Sequence, residues 1–121
     1  MKRFCSLLLL SLCLSLLAAC GSSGGKDISI GDIEAALQEK DQAFAFNTEE
    51  KPMYQLIGAT DGWIGYFEET HPVKVYQFKD NAAYKKALEQ YDMMEPWPKV
   101  GNFVLETTSP AVEEIFTGLG K

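Results

Sequence analysis

Trp63-Ile64-Gly65-Tyr66-Phe67-Glu68-Glu69-Thr70-His71-Pro72-Val73-Lys74-Val75-Tyr76-Gln77-Phe78 is the stretch that decides the fold. Two runs of aromatic and β-branched residues flank a polar segment, Glu68 to Pro72, with turn character. Such runs read as paired strands. Alternation puts Trp63 and Phe67 on one face of the first run and Ile64 and Tyr66 on the other. In the second run Val73 and Val75 oppose Tyr76 and Phe78. Both faces carry large apolar groups, more than a single helix-covered face requires. Either the N-terminal helix or a loop covers the second face, or an aromatic patch stays open for binding.

Upstream, Met53-Tyr54-Gln55-Leu56-Ile57-Gly58-Ala59 reads as a further strand, turned into Trp63 by Asp61-Gly62. An Asp-Gly pair between two such runs is a hairpin signal, in which Gly62 supplies positive φ. Gly65 relieves crowding or marks a bulge. Before these, Ile33, Leu37 and Phe44 in the segment Gly31 to Phe44 fall at helical spacing, with acids in the first turn. Downstream, Asp80 can cap a helix over Asn81 to Tyr91, whose Tyr84, Ala87, Leu88 and Tyr91 share a face. Met93 to Gly101 holds two prolines and a glycine and reads as a loop. Asn102 to Thr107 is a fourth strand, and Ser109-Pro110 starts a short amphipathic helix. The order α-β-β-β-α-β-α implies an α+β domain, a mainly antiparallel four-stranded sheet with helices packed over one face.

The chain starts differently. Lys2 and Arg3 precede an uncharged, leucine-rich stretch, Phe4 to Leu17, too short for a membrane span of roughly 20 residues. Small residues and a cysteine follow, the pattern of a secretory signal peptide. Leu17-Ala18-Ala19-Cys20 resembles the lipobox of bacterial lipoproteins. The resemblance implies a diacylglyceryl thioether on Cys20 and cleavage between Ala19 and Cys20, so that residues 1–19 are a signal peptide. It also implies a location on the outer side of a cell membrane. Residues 20–26 then form the lipidated cysteine and a Gly/Ser tether, reaching on the order of 13 Å. Residues 27–121 form a single domain.

Cleavage would remove Cys5 and Cys13, and lipid would consume Cys20, so packing alone must stabilise the domain. It would also leave nine lysines, no arginine and 17 acidic residues, a net charge of −8. That balance argues against a nucleic-acid partner and against attraction to anionic head groups. It favours solubility first, and it suits a cationic partner.

Signals for chemistry are weak. His71, near Glu68 and Glu69, sits in a turn that offers no scaffold for the three or four ligands of a zinc site. Gly58, Gly62 and Gly65 lack the Gly-Lys-Ser/Thr of a phosphate loop. No serine stands in a Gly-x-Ser-x-Gly turn. No metal, cofactor or catalytic residue is implied, and the expectation is that the chain is not an enzyme. Tryptophan and methionine at loops and turns are the candidate contacts, because Met and Trp are favoured at interfaces. They are Trp63 at the hairpin turn, and Met94 and Trp97 in Met93-Met94-Glu95-Pro96-Trp97-Pro98, a loop that either folds these side chains back onto the core or presents them as a contact surface.

The stretch Val73 to Leu88, a valine-rich strand followed by an Asp-capped, lysine-bearing helix, resembles small uncharacterised lipoproteins of Gram-positive bacteria. That resemblance implies no particular activity. The expected function is a membrane-anchored, non-enzymatic module that binds or modulates another component of the cell envelope. The alternatives are an immunity or inhibitor lipoprotein that sequesters a cationic peptide, and a small envelope enzyme.

Overall fold

A computed structural model describes residues 27–121. The expected signal peptide, the Ala19–Cys20 cut, the lipid site and the tether lie outside the described residues. Ser29 opens α1 (Ile30–Gln38). Its hydroxyl accepts from the Asp32 N–H at 3.2 Å, and the Asp32 carboxylate accepts from the Ser29 N–H at 2.8 Å. These reciprocal bonds satisfy donors that a helix start leaves open. The helix stops short of Phe44. Asp41 turns the chain instead: its carbonyl accepts from the Phe44 N–H at 2.9 Å and its carboxylate from the Ala43 N–H at 3.3 Å.

β1 (Asp61–Phe67) and β2 (His71–Gln77) pair antiparallel, with Trp63 opposite Val75 and Phe67 opposite His71. Asp80 caps α2 (Asn81–Gln90) by accepting from the Ala83 N–H at 2.9 Å. A 3-10 turn, Asp92–Met94, leads to β3 (Lys99–Val100), then β4 (Phe103–Thr107). Ser109 caps α3 (Pro110–Gly118), where proline at the first helical position loses no useful donor. The sheet order is β1-β2-β4-β3, antiparallel throughout. The α+β class and the four-stranded antiparallel sheet with packed helices are as the sequence implies.

Three local expectations change. Residues 53–59 are not a strand but contain a 3-10 turn, Tyr54–Ile57, between Pro52 and Gly58, whose φ is 82°. Tyr54 and Ile57, three apart, turn inward while Leu56 stays 62% exposed; that is the period of a 3-10 turn, not of a strand. Asp61-Gly62 is not a hairpin turn either, since both residues lie inside β1 and the reversal falls at Glu68-Glu69-Thr70. The loop 93–101 contains the remaining strand, β3.

The helices also pack over both faces, not one. α1 and α3 cover the first face, where Ile33, Leu37, Val112 and Phe116 meet Phe67, Val73, Val75, Phe103 and Leu105. On the second face, α2 and the two 3-10 turns bring Ala87, Ile57 and Met94 against Tyr76, Phe78 and Val104. The N-terminal helix, one of the covers the sequence offered for the second face, lies on the first, and the second is covered in part by α2 and the turns.

Between α1 and β1 the chain runs as a strap over residues 41–52. The Glu34 carboxylate accepts from the Phe46 N–H at 2.9 Å, and the Gln38 amide donates to the Phe44 carbonyl at 2.9 Å. On the other side the Asn47 N–H donates to the Ile64 carbonyl at 2.7 Å, and the Lys51 ammonium to the Gly62 carbonyl at 3.0 Å. The strap thereby occupies outward-facing groups of edge strand β1, which would otherwise invite a foreign strand. It also accounts for two glycines. A Cβ on Gly62 would stand 2.9 Å from Pro52 Cγ, and one on Gly65 2.9 Å from the Ala45 carbonyl oxygen. No helix among the described residues is long and apolar enough to cross a membrane.

Candidate binding surface

The register of β1, β2 and β4 lines up the second-face side chains in rows. Tyr66 stands opposite Pro72, Ile64 opposite Lys74, and Lys74 opposite Glu106. One end of this face lies beneath α2 and the 3-10 turns. The other end, toward the β1–β2 hairpin loop, is more open, although Ile64 in the row of Lys74 and Glu106 is still buried. Tyr66 is 49% exposed there, and Pro72, Lys74 and Glu106 are half-buried. A shallow depression of about 220 Å³ lies between Pro72, Lys74, Trp97 and Glu106, with Thr107 and Thr108 at its end.

Trp97 marks the border between the closed and open halves. Its indole stacks on the Tyr76 ring, with centroids 5.8 Å apart and planes 7° from parallel. Beneath it the Tyr76 hydroxyl donates to the Glu106 carboxylate at 2.7 Å. Burial pushes the Tyr76 phenol far above its ordinary titration range, and its bond to Glu106 and that group's charge push further the same way. Tyr76 therefore stays protonated as a fixed donor. It is no acid or base near neutral pH.

Lys74 faces Glu106 across the strands, yet no salt bridge joins them. The Thr107 hydroxyl donates to the Pro72 carbonyl at 2.8 Å and accepts from the Ser109 N–H at 3.2 Å, so it is no free nucleophile. What the open half offers is recognition chemistry: an ammonium, a carboxylate with spare lone pairs, and apolar ring surface. His71, at the start of β2, is half-buried opposite Phe67.

The three contact residues expected from the sequence part company. Met94 is fully buried in the second-face core and is no surface residue; its neighbour Met93 is 58% exposed instead. Trp97 is half-buried and touches the open depression. Trp63 is not at a turn but mid-strand on the first face, half-buried, its ring 6.1 Å from that of Phe103. Tyr66, Lys74 and Glu106 were not singled out from the sequence. Alternation alone places Tyr66 away from Trp63, but only the strand register brings it to Pro72 and Lys74 to Glu106. Comparison of the chain with protein-family models, curated proteins and solved structures found no match.

Proposed function

We propose that this chain is a lipid-anchored binding module of the cell envelope, not an enzyme. In this reading Cys20 carries the lipid on the outer side of a membrane, and the open half of the second sheet face engages another envelope component. The observation that carries the binding half is the exposure of Tyr66 opposite Pro72, next to the depression between Pro72, Lys74, Trp97 and Glu106, on a sheet otherwise packed largely beneath helices and turns. Exposed aromatic and apolar surface rimmed by polar groups is a mark of interaction sites. The anchoring half is supported by the Leu17-Ala18-Ala19-Cys20 pattern behind an uncharged stretch. Fixing the module at a membrane raises its effective concentration toward partners there, which suits a shallow surface of modest affinity.

Each half has its own experiment. Cells producing the chain are fed an alkyne analogue of palmitate, and the protein is followed by detergent phase partitioning. Wild type should carry the label and partition with detergent, and Cys20→Ala should carry none. Unlabelled wild type with its first 19 residues retained would remove the anchoring half. For the binding half, a photo-crosslinking amino acid is placed at position 66 and, separately, at exposed Glu89 on α2. Discrete adducts from position 66 alone are expected; the same adducts from both positions, or none from 66, count against the open face.

A further inference from the structure

A second surface, separate from the open sheet half, has a different chemistry. At the start of α1, a groove of about 310 Å³ runs between the helix and the strap, lined by Ile30, Gly31, Phe46 and Trp63 with Glu34 and Lys51 beside them. Its rim, the residues that adjoin the lining in the chain, is acidic on both the α1 and the strap side. Asp27 and Asp32 stand at the α1 end, and Glu49 and Glu50 lie in the strap between the lining residues Thr48 and Lys51, all four exposed. Among the described residues, the one cation lining the groove, Lys51, is already engaged. The Lys51 ammonium lies 2.7 Å from the Asp61 carboxylate and 5.0 Å from the centre of the Trp63 ring. This corner of carboxylate, carbonyl and indole face thus displays the chemistry that holds an ammonium.

The asymmetry extends over the domain. Residues 27–71 carry ten acidic side chains and two lysines, whereas residues 72–121 carry seven and six. Most of the negative field therefore arises from the half of the chain that builds the groove.

We propose that this groove docks a cationic amphipathic peptide segment. Its apolar side chains would lie against Ile30, Phe46 and Trp63, and its lysines or arginines would face the rim carboxylates. Charge complementarity selects this occupant over others. A second copy of the chain would bring the same negative field against itself, and an anionic membrane surface would be repelled. A purely apolar ligand would leave the rim carboxylates unused. The site does not depend on what the open sheet half binds.

The test uses the full chain in phosphatidylcholine nanodiscs, with empty nanodiscs as blank. The probes are a short fluorescent peptide of alternating Leu and Lys and its Leu–Glu counterpart, followed by anisotropy. The Leu–Lys peptide should bind and the Leu–Glu peptide should not. Glu49→Lys with Glu50→Lys should weaken binding about tenfold, while Glu89→Lys with Asp92→Lys, the same charge change on the α2 side, should weaken it less than about twofold. All four carboxylates are exposed, so the unfolding midpoints of both double variants should match wild type. Equal weakening by the two pairs would show diffuse attraction without a site. That result, absent binding of the Leu–Lys peptide, or binding of both peptides alike overturns the proposal.

Discussion

The two faces of one sheet carry similar side chains and end in different states. On the first face, Val73, Val75, Leu105 and Val112 are wholly inaccessible, because α1 and α3 together span the strands. On the second face Val104 and Met94 are equally inaccessible, but two rows further along the sheet Tyr66 is half in water. Strand composition does not distinguish these outcomes. The cover does: α2 is followed by a 3-10 turn and Pro96-Trp97-Pro98, which carry the chain off toward β3 before the hairpin end is reached. Alternation thus tells which residues share a face, while the length and path of the covering segment decide which of them pack.

The largest expected difference between the faces comes from truncation. Phe116→Ala, on the closed face, should lower unfolding stability by about 3–5 kcal/mol. Tyr66→Ala, on the open half, should change it by less than about 0.5 kcal/mol. Denaturant titrations of both variants measure this, and a Tyr66→Ala loss near that of Phe116→Ala would abolish the contrast.

Next in size is Gly65→Ala. The added methyl meets the Ala45 carbonyl and the Phe44 ring, both at 2.9 Å, so the strap must move or the strand must bend. A loss of about 1–3 kcal/mol is expected, as for other overpacked sites. A neutral result would mean that the strap yields freely and that the closed edge is softer than its hydrogen bonds indicate.

Tyr76→Phe probes the border under Trp97. It removes the hydroxyl that donates to Glu106 and should cost about 1 kcal/mol near neutral pH. The pH dependence gives the sharper signature. A phenol whose folded pKa is raised contributes stability that is fully present below the unfolded value, about 10, and is lost as pH rises from there toward the folded value. Wild type should therefore lose stability above about pH 10 more steeply than Tyr76→Phe. Parallel alkaline profiles would show that this phenol is not the group responsible.

The smallest effect is expected at the strap's ion pair. Burial alone would raise the Asp61 carboxyl, but the Lys51 ammonium and the Gly62 N–H outweigh it and hold it below its usual range. The pair's contribution is present above the ordinary carboxylate range and lost as pH falls through the lowered folded value. Both side chains are well exposed, so Lys51→Met should cost no more than about 1 kcal/mol, less in high salt. A larger, salt-independent loss would place the strap within the closed core.

The caps at Asp80 and Ser109, the α2 and α3 helices, and the alternation of β1 and β2 were all legible, because each depends on residues close in sequence. Residues 53–59 misled because a 3-10 turn and a strand can both be built from Met-Tyr-Gln-Leu-Ile; Pro52 and Gly58 decided between them. Gly62 misled for another reason. Asp-Gly favours a turn locally, but here the glycine makes room for Pro52 and Tyr54, a tertiary demand that no local pattern announces. The candidate surface was the least legible part. Trp97 could be found from its flanking prolines, but the burial of Met94 and the meeting of Tyr66, Lys74 and Glu106 depend on register and cover.

The hairpin loop bears on how the chain reaches this structure. Glu68 and Glu69 both adopt left-handed backbone conformations, φ 52° and 70°, which cost a non-glycine residue about 1 kcal/mol each. A hairpin closed through such residues gains little from forming alone. The Asp41 carboxylate, 27 positions earlier in the chain, accepts from the Glu68 N–H at 2.7 Å and helps to fix the loop. β1 and β2 should therefore come together late, after α1 and the strap have delivered Asp41, and the most local hairpin of the fold would be a poor nucleus. Glu69→Gly should accordingly slow unfolding more than it speeds folding, because the loop closes after the transition state; a mainly faster folding rate would show the loop already formed there.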